Sequence, residues 1–536
     1  MKIRLPDITS VYLCNGEDKV SYDFYGENTQ NSDTCVRFSL KNDALSVYLS
    51  SKMGVRYVRL RWNNPSRRAV KVLGDAWERG YGDLEWRGVC PERCMPWYIA
   101  VSNGSDMNDD YSERLTECYG VGVQPSALCF WQYDNAGVTL WLDVRSGTYP
   151  TILNARELEC ATVYFKEYEK MSAFDALKEF CRVMSPNPYT TDHVVYGSNN
   201  WYYAYGKSSH EEIISDTKFV KRMTQGLANI PYMVIDDGWQ PNSCDAPWDT
   251  GNERFPDMKA LASEMKALGV RPGIWVRYLI NGRDNEPRKV TSFPESWYLY
   301  PHDRVLDPSN PEVLNYVKET TERLVGWGYE LIKHDFSTFD IFGRWGFELK
   351  DDLCTVERKF YDNTKTSAEI VKNFYKTIKD ASSGAVIIGC NAIGHLCAGL
   401  HQLNRTGDDT SGFEWSRTQK MGVNTLAFRL CQNNSFFGAD ADCVGIMGII
   451  PWELNSKWLY LLSRSASSLF VSCKPNILSE EQENELKESF KVASVQKDEF
   501  IPLDWMETTC PQVYKINGEV VELDLYPKKG NESVSR

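Results

Sequence analysis

Several common chemistries are missing from this chain. Its sixteen cysteines include no Cys-x-x-Cys pair, and the nearest spacing, Cys90 to Cys94, has no second pair or histidine beside it to complete a zinc site. There are only six histidines, and none stands in a His-x-His or His-Glu-x-x-His spacing, so a histidine-built metal centre is not expected. No apolar run reaches the roughly 18 residues of a membrane helix, and Met1-Lys2-Ile3-Arg4-Leu5-Pro6-Asp7 is not followed by the apolar stretch of a secretion signal. Scattered thiols without such a leader predict reduced cysteines and a cytoplasmic location. Basic excess is lacking too: 73 Asp and Glu against 60 Lys and Arg leave a net charge of −13 at pH 7. That argues against nucleic-acid and anionic-membrane partners, both of which need basic patches.

What is present fits a large globular chain. At 536 residues, with 42% hydrophobic and 25% charged residues, two to four domains with sizeable cores are expected. Tryptophan (17) and tyrosine (29) are plentiful, and most are assigned to cores, although aromatic faces also stack on sugar rings. Residues 1–185 read as a β-sandwich. The run 55–62 alternates like a half-buried strand, and 129–144 reads as a hairpin turning at Asp134-Asn135-Ala136-Gly137. A helix over 172–184 and the prolines Pro186 and Pro188 mark the boundary.

From 190 to 478 the pattern becomes strand then helix, with strand candidates ending near Gly197, Ile235, Val276, Asp335, Cys390, Arg405, Ala439 and Cys473. Eight such units predict a (β/α)8 barrel. A doubly wound sheet is the rival, but no glycine-rich phosphate loop follows the first strand. Residues 479–536 are expected to form a small antiparallel β-domain with a hairpin at Asn517-Gly518 and a frayed tail over 531–536.

Barrels of this kind carry their chemistry at the C-terminal strand ends, and the unusual polar residues fall there. They are Asn199, Asn200 and Trp201; Asp236 and Asp237; Arg277; Lys333 and Asp335; Cys390 and Asn391; Arg405, Asp408 and Asp409; Asp440 and Asp442. In a strand Lys333 and Asp335 share a face while His334 points away, and a lysine beside a carboxylate keeps it ionised and usable as a nucleophile. Any one of these acids is as readily a turn or helix-cap residue; their convergence points to a carbohydrate-cleaving barrel.

Three motifs resemble the α-galactosidase clan, glycoside hydrolase family 36 with its relative family 27. Ile235-Asp236-Asp237-Gly238-Trp239 is similar to the family's paired aspartates, Lys333-His334-Asp335 to its Lys-x-Asp, and Arg405-Thr406-Gly407-Asp408-Asp409 to its Arg-x-x-x-Asp. The resemblance covers residues 75 to 475 and implies a sandwich, a barrel and a small β-domain in that order. It implies Asp236 and Asp237 on the 4- and 6-hydroxyls, Asp335 as nucleophile and Lys333 touching the sugar. Counted from Arg405, it implies Asp409 as acid/base; a Ser-Asp-Asn-Thr alignment would select Asp408 instead. Trp201, Trp275, Arg277, Cys390, Arg405 and Asp408 complete the implied substrate set. No metal or other cofactor is implied. Asn391 departs from the family 27 acid near the 2-hydroxyl, and His334 from a bulky aromatic.

The reaction implied is retaining hydrolysis of a terminal α-galactosyl or stereochemically related residue. Asp335 would be ionised; Asp409, in a less cationic spot, would hold a proton, with Arg405 turned to the sugar. The alternatives are a raffinose-synthase-like transglycosylase, a metal-dependent barrel and an idle sugar-binding protein. Trp77 and Trp86 either lean over the barrel mouth or pack within the sandwich. The partner implied is an oligosaccharide or glycoside. Relatives often form homo-oligomers, but no interface is legible in this sequence.

Overall fold

The computed structural model describes residues 2–526 except 28, 64–70, 109, 243, 282–292, 301–303, 352–355 and 496–498. The tail expected over 531–536 lies outside the described residues, as does Cys354.

The N-terminal part is a sandwich of two six-stranded antiparallel sheets. Strand Gly54–Asn63 shows why it forms: Val58, Leu60 and Trp62 alternate onto the inner face and are buried. Trp62 meets Phe165 of the opposite sheet at 5.0 Å, and Tyr119 and Trp131 pack around the same ring. The expected hairpin is present, pairing Leu128–Asp134 with Gly137–Asp143.

Eight parallel strands then close a barrel: Tyr196–Asn199, Tyr232–Ile235, Arg271–Val276, Leu331–His334, Val386–Gly389, Leu403–Arg405, Gly438–Ile446 and Ser468–Cys473. Their apolar runs are buried on both faces, as helix-covered parallel strands require. The intervening helices start where the chain offers an oxygen to a free backbone N–H. Ser209, Asp257, Asn310 and Thr366 each cap one, and Thr366 forms a reciprocal box with Glu369. One boundary differs from expectation. The seventh strand does not end near Ala439 but runs on to Ile446 past a register shift between Asp440 and Cys443, where Asp442 takes φ +70°.

The C-terminal sheet joins Phe500–Pro502, Val513–Ile516 and Glu519–Glu522, with Asn517 and Gly518 both at positive φ as a tight hairpin turn needs. Trp505 anchors this end among Trp86, Phe174 and Phe428. No helix among the described residues is long and apolar enough to cross a membrane, and every described cysteine is a free thiol.

The sandwich docks on the barrel beside the C-terminal end of strand Leu403–Arg405. The Gly80 N–H donates to the Thr406 carbonyl at 2.7 Å and the Asp408 N–H to the Gly80 carbonyl at 3.0 Å, a short parallel bridge between the two parts. Arg429 and Asp75 add a buried ion pair at 2.9 Å.

Candidate active site

A cavity of about 630 Å³ opens at the C-terminal ends of the barrel strands. Asp236, Asp237, Asp335, Asp408 and Asp409 line it, together with Lys333, Trp201 and Trp275. The side chains expected to act together from three separate motifs therefore do meet in one space.

Asp335 follows the last residue of the fourth strand, and its N–H still bonds the Val276 carbonyl at 3.0 Å, continuing the ladder. Lys333 and Asp335 both face the cavity, while His334 is buried on the other side among Phe374, Tyr375 and His401. The ion pair is not the one expected, however. Lys333 Nζ reaches Asp236 Oδ2 at 2.7 Å, and Asn199 Nδ2 donates to the same oxygen at 2.7 Å. Asp335 instead accepts from Trp275 Nε1 at 3.2 Å and from the Phe336 N–H at 2.7 Å. That second bond needs the chain to turn at once, and Phe336 adopts φ +62° to make it. A left-handed conformation at a non-glycine residue costs about 1–2 kcal/mol, offset here by ring contacts with Trp275, Trp345 and the Arg277 guanidinium. Burial pushes the Asp335 carboxyl up; the charges of Arg79 and Lys333 outweigh it and hold the group below its usual range.

Asp409 accepts from Arg405 Nη2 at 3.0 Å, lies 4.0 Å from Arg79 Nη1, and remains 37% exposed toward the cavity. It is thus not in a less cationic spot than Asp335. Burial raises its pKa, but Arg405, Arg79 and Lys333 together bring it below the ordinary carboxylate value. The adjacent Asp408 is held between two arginines, Arg79 at 2.8 Å and Arg417 at 2.7 Å. Asp237 accepts from Gln240 Nε2 at 2.6 Å, the Cys244 N–H at 2.8 Å and the Cys244 thiol at 2.9 Å.

Three of the expected substrate contacts stand behind the wall. Arg405 is 2% exposed and spends its guanidinium on Asp409, Asp442 and Cys390 rather than facing a sugar. Cys390 is buried beneath Arg405 and Arg79. Arg277 is paired twice with Asp340, at 3.0 and 2.5 Å. Acids and arginines at strand ends look alike in a sequence whether they face the lumen or brace it.

Other wall residues were not anticipated: Arg79, Tyr81, Cys244, Phe336, Trp345, Phe347, Arg417 and Met421. Arg79 and Tyr81 come from the sandwich, between Trp77 and Trp86. Those two tryptophans pack, Trp77 against Trp97 and Phe130 and Trp86 against Trp505, so the mouth is reached by the residues between them. Glu78 beside them is fully buried, accepting from the Gly346 N–H at 2.8 Å, the Tyr81 hydroxyl and Asn391 Nδ2. Burial raises its pKa. A carboxyl from the sandwich therefore stands directly behind Asn391. The only signal in the sequence was the polar interruption of an aromatic-rich loop.

No family model matches the chain, and no curated protein matches it in sequence. Solved structures do match in fold. The α-galactosidase TtGalA of Thermus thermophilus, in complex with p-nitrophenyl α-D-galactopyranoside, gives a TM-score of 0.60 at 14% identity, covering 91% of this chain and 96% of that one. An AgaA variant, a family 36 α-galactosidase of Geobacillus stearothermophilus in complex with raffinose, gives 0.55 at 14% identity over 87% and 69%. The α-galactosidase of Lactobacillus brevis gives 0.57 at 11% identity over 96% and 73%. At these identities the likeness is one of fold.

Proposed function

We propose that the protein is a retaining glycoside hydrolase that releases terminal α-galactosyl, or stereochemically related, residues, with Asp335 as nucleophile and Asp409 as acid/base. One observation carries this reading: an ionised carboxylate on a rigid strand end and a second, partly open carboxyl share one cavity with a lysine–aspartate pair suited to sugar hydroxyls. The fold neighbours that hold p-nitrophenyl galactoside and raffinose support the substrate class.

In the first step Asp335 attacks the anomeric carbon while Asp409 gives a proton to the departing oxygen; a covalent glycosyl–enzyme forms and the leaving group departs as an alcohol. Water, deprotonated by Asp409, then attacks the same carbon, and Asp335 leaves as carboxylate. Trp275 and the Phe336 N–H hold the nucleophile's oxygens in place, and Lys333 and Asp236 hold the ring. Arg405, Arg79 and Lys333 keep Asp409 acidic, so loading the proton falls to the substrate: a sugar that covers the exposed face of Asp409 raises its pKa by desolvation. The acid is Asp409 rather than Asp408 because both Asp408 oxygens are already engaged by arginines.

The test is Asp335→Asn. Turnover of a nitrophenyl galactoside should fall by about 10⁴-fold or more with an unchanged melting temperature; near-wild-type hydrolysis would end the proposal. Full activity in EDTA is expected as well, since no step uses a metal. Product analysis with sucrose as acceptor separates hydrolysis from glycosyl transfer.

A further inference from the structure

The Arg79 guanidinium, brought to the cavity by the sandwich, is anchored at two of its three nitrogens. Nη2 reaches Asp408 Oδ1 at 2.8 Å, and Nε donates to the Tyr81 hydroxyl at 3.4 Å, which in turn donates to buried Glu78. Its central carbon lies 5.4 Å from the Trp345 ring centroid. Among the described residues Nη1 is bonded only to the Cys390 sulfur, at 3.8 Å, with Asp409 4.0 Å away. Sulfur is a weak acceptor, so this nitrogen keeps donor capacity. Arg79 lines the cavity and is 6% exposed, more than Asp236 at 3% and Trp275 at 2%, which line it too.

The guanidinium is close to both proposed catalytic carboxyls. Its charge weighs on Asp335 more than that of Lys333, and on Asp409 second only to that of Arg405. Two such carboxyls flank the anomeric carbon, so Arg79 stands beside it. That carbon has two ring neighbours, the ring oxygen and C2. The ring oxygen gains positive charge in the oxocarbenium-like transition state, which disfavours a guanidinium there. C2 carries a hydroxyl whose hydrogen bonds strengthen in the same transition state. Asn391, which stands where the family 27 resemblance implies an acid near that hydroxyl, is already engaged. Its amide donates to Glu78 and accepts from the Phe339 N–H at 3.1 Å.

We infer that Arg79 touches the substrate, donating from Nη1 to the 2-hydroxyl of the glycone, and so selects glycosides in which that hydroxyl is free. The inference rests on the proposed glycosidase reading and deepens it. Asp408 balances the guanidinium charge, which limits its repulsion of the developing cation. An acetamido group at C2 would need the guanidinium to withdraw, and Asp408, Tyr81 and Trp345 hold it in place.

The experiment measures kcat/KM for p-nitrophenyl α-D-galactopyranoside, its 2-deoxy analogue and p-nitrophenyl N-acetyl-α-D-galactosaminide on wild type, Arg79→Lys and Arg79→Gln, each at its own pH optimum. Wild type should prefer the galactoside over the 2-deoxy analogue by about tenfold to a hundredfold, the range of a hydrogen bond from a charged donor. It should prefer it over the acetamido substrate by at least as much. In Arg79→Gln the preference over the 2-deoxy analogue should shrink about tenfold, because removing the hydroxyl and removing the guanidinium delete the same contact. Comparing ratios cancels the analogue's intrinsic reactivity. Should neither variant keep the wild-type melting temperature, the wild-type preferences alone decide. Well-folded variants that lose activity equally on both substrates, a wild type that takes the 2-deoxy analogue as readily as the galactoside, or equal turnover of the acetamido substrate would overturn the inference and leave the glycosidase reading intact. A wild type that cleaves none of the three would overturn both.

Discussion

Arg79 acts on both carboxyls of the site. It is buried beside Asp408 and Asp409, and its charge also lowers the pKa of Asp335. On the proposed mechanism kcat/KM requires Asp335 ionised and Asp409 protonated in the free enzyme. With Asp409 held below its usual range, its protonated fraction falls tenfold for each pH unit above its pKa, so kcat/KM should decline from acid toward neutral pH. Arg79→Gln removes one positive charge and raises both carboxyl pKa values. The descending limb should therefore move upward by about one pH unit; a pH profile with an unmoved limb would show that Arg79 does not act on the acid. The neighbouring aspartates separate by the same logic. Asp409→Asn should cost about 10²–10⁴-fold in kcat on a sugar leaving group, and much less on nitrophenol, which leaves without a proton. On the proposed assignment Asp408→Asn leaves the acid in place and should cost about tenfold or less. That Lys333, Asp335 and Asp409 would share one cavity was readable because each lies in a short motif at a strand end. That both carboxyls are held below their usual range was not, because it depends on every charge within several ångströms, Arg79 included.

Among the local elements, the loop carrying Asp408 and Asp409 is held by two glycines. Gly80 and Gly407 approach closely enough to pair, and a Cβ at 407 would collide with the Met421 carbonyl and the Thr425 hydroxyl. Gly407→Ala should cost about 1–3 kcal/mol of stability and, by displacing Asp409, the proposed acid, about tenfold to a hundredfold in kcat. Thermal melting and kinetics on the same preparation check both; unchanged kcat would show that the loop tolerates the shift. The regular elements were far more legible. Helix starts at Ser209, Asp257, Asn310 and Thr366 follow from side-chain caps, and the hairpin at Asn517-Gly518 from residues that accept positive φ. The bend in the seventh strand was missed. Asp442 takes positive φ while bonding Arg405 and the Thr410 N–H, and those partners lie about thirty residues away along the chain.

In the whole molecule the cavity belongs to two parts of the chain. The barrel supplies the carboxylates, and the sandwich supplies Arg79, Tyr81 and, behind them, Glu78. A fragment of residues 190–478 should therefore show no turnover, having lost the cation beside Asp409 and one wall of the cavity. In the full-length chain Glu78→Ala should lower stability by about 1–3 kcal/mol by leaving the Gly346 N–H and Asn391 unpaired. A fragment with wild-type kcat would show that the sandwich is not part of the site.

Alternating and buried apolar runs, caps and turns were enough to define the sandwich, the eight-stranded barrel and the ring of polar strand ends, because each depends on residues within a few positions of one another. Docking decided the rest. Lys333 pairs with Asp236 rather than Asp335, Arg405, Cys390 and Arg277 fall behind the wall, and Arg79 and Tyr81 arrive at the mouth from more than two hundred residues upstream of Asp335. Local patterns record which face of a strand is apolar. They carry no record of which distant loop will close over its end.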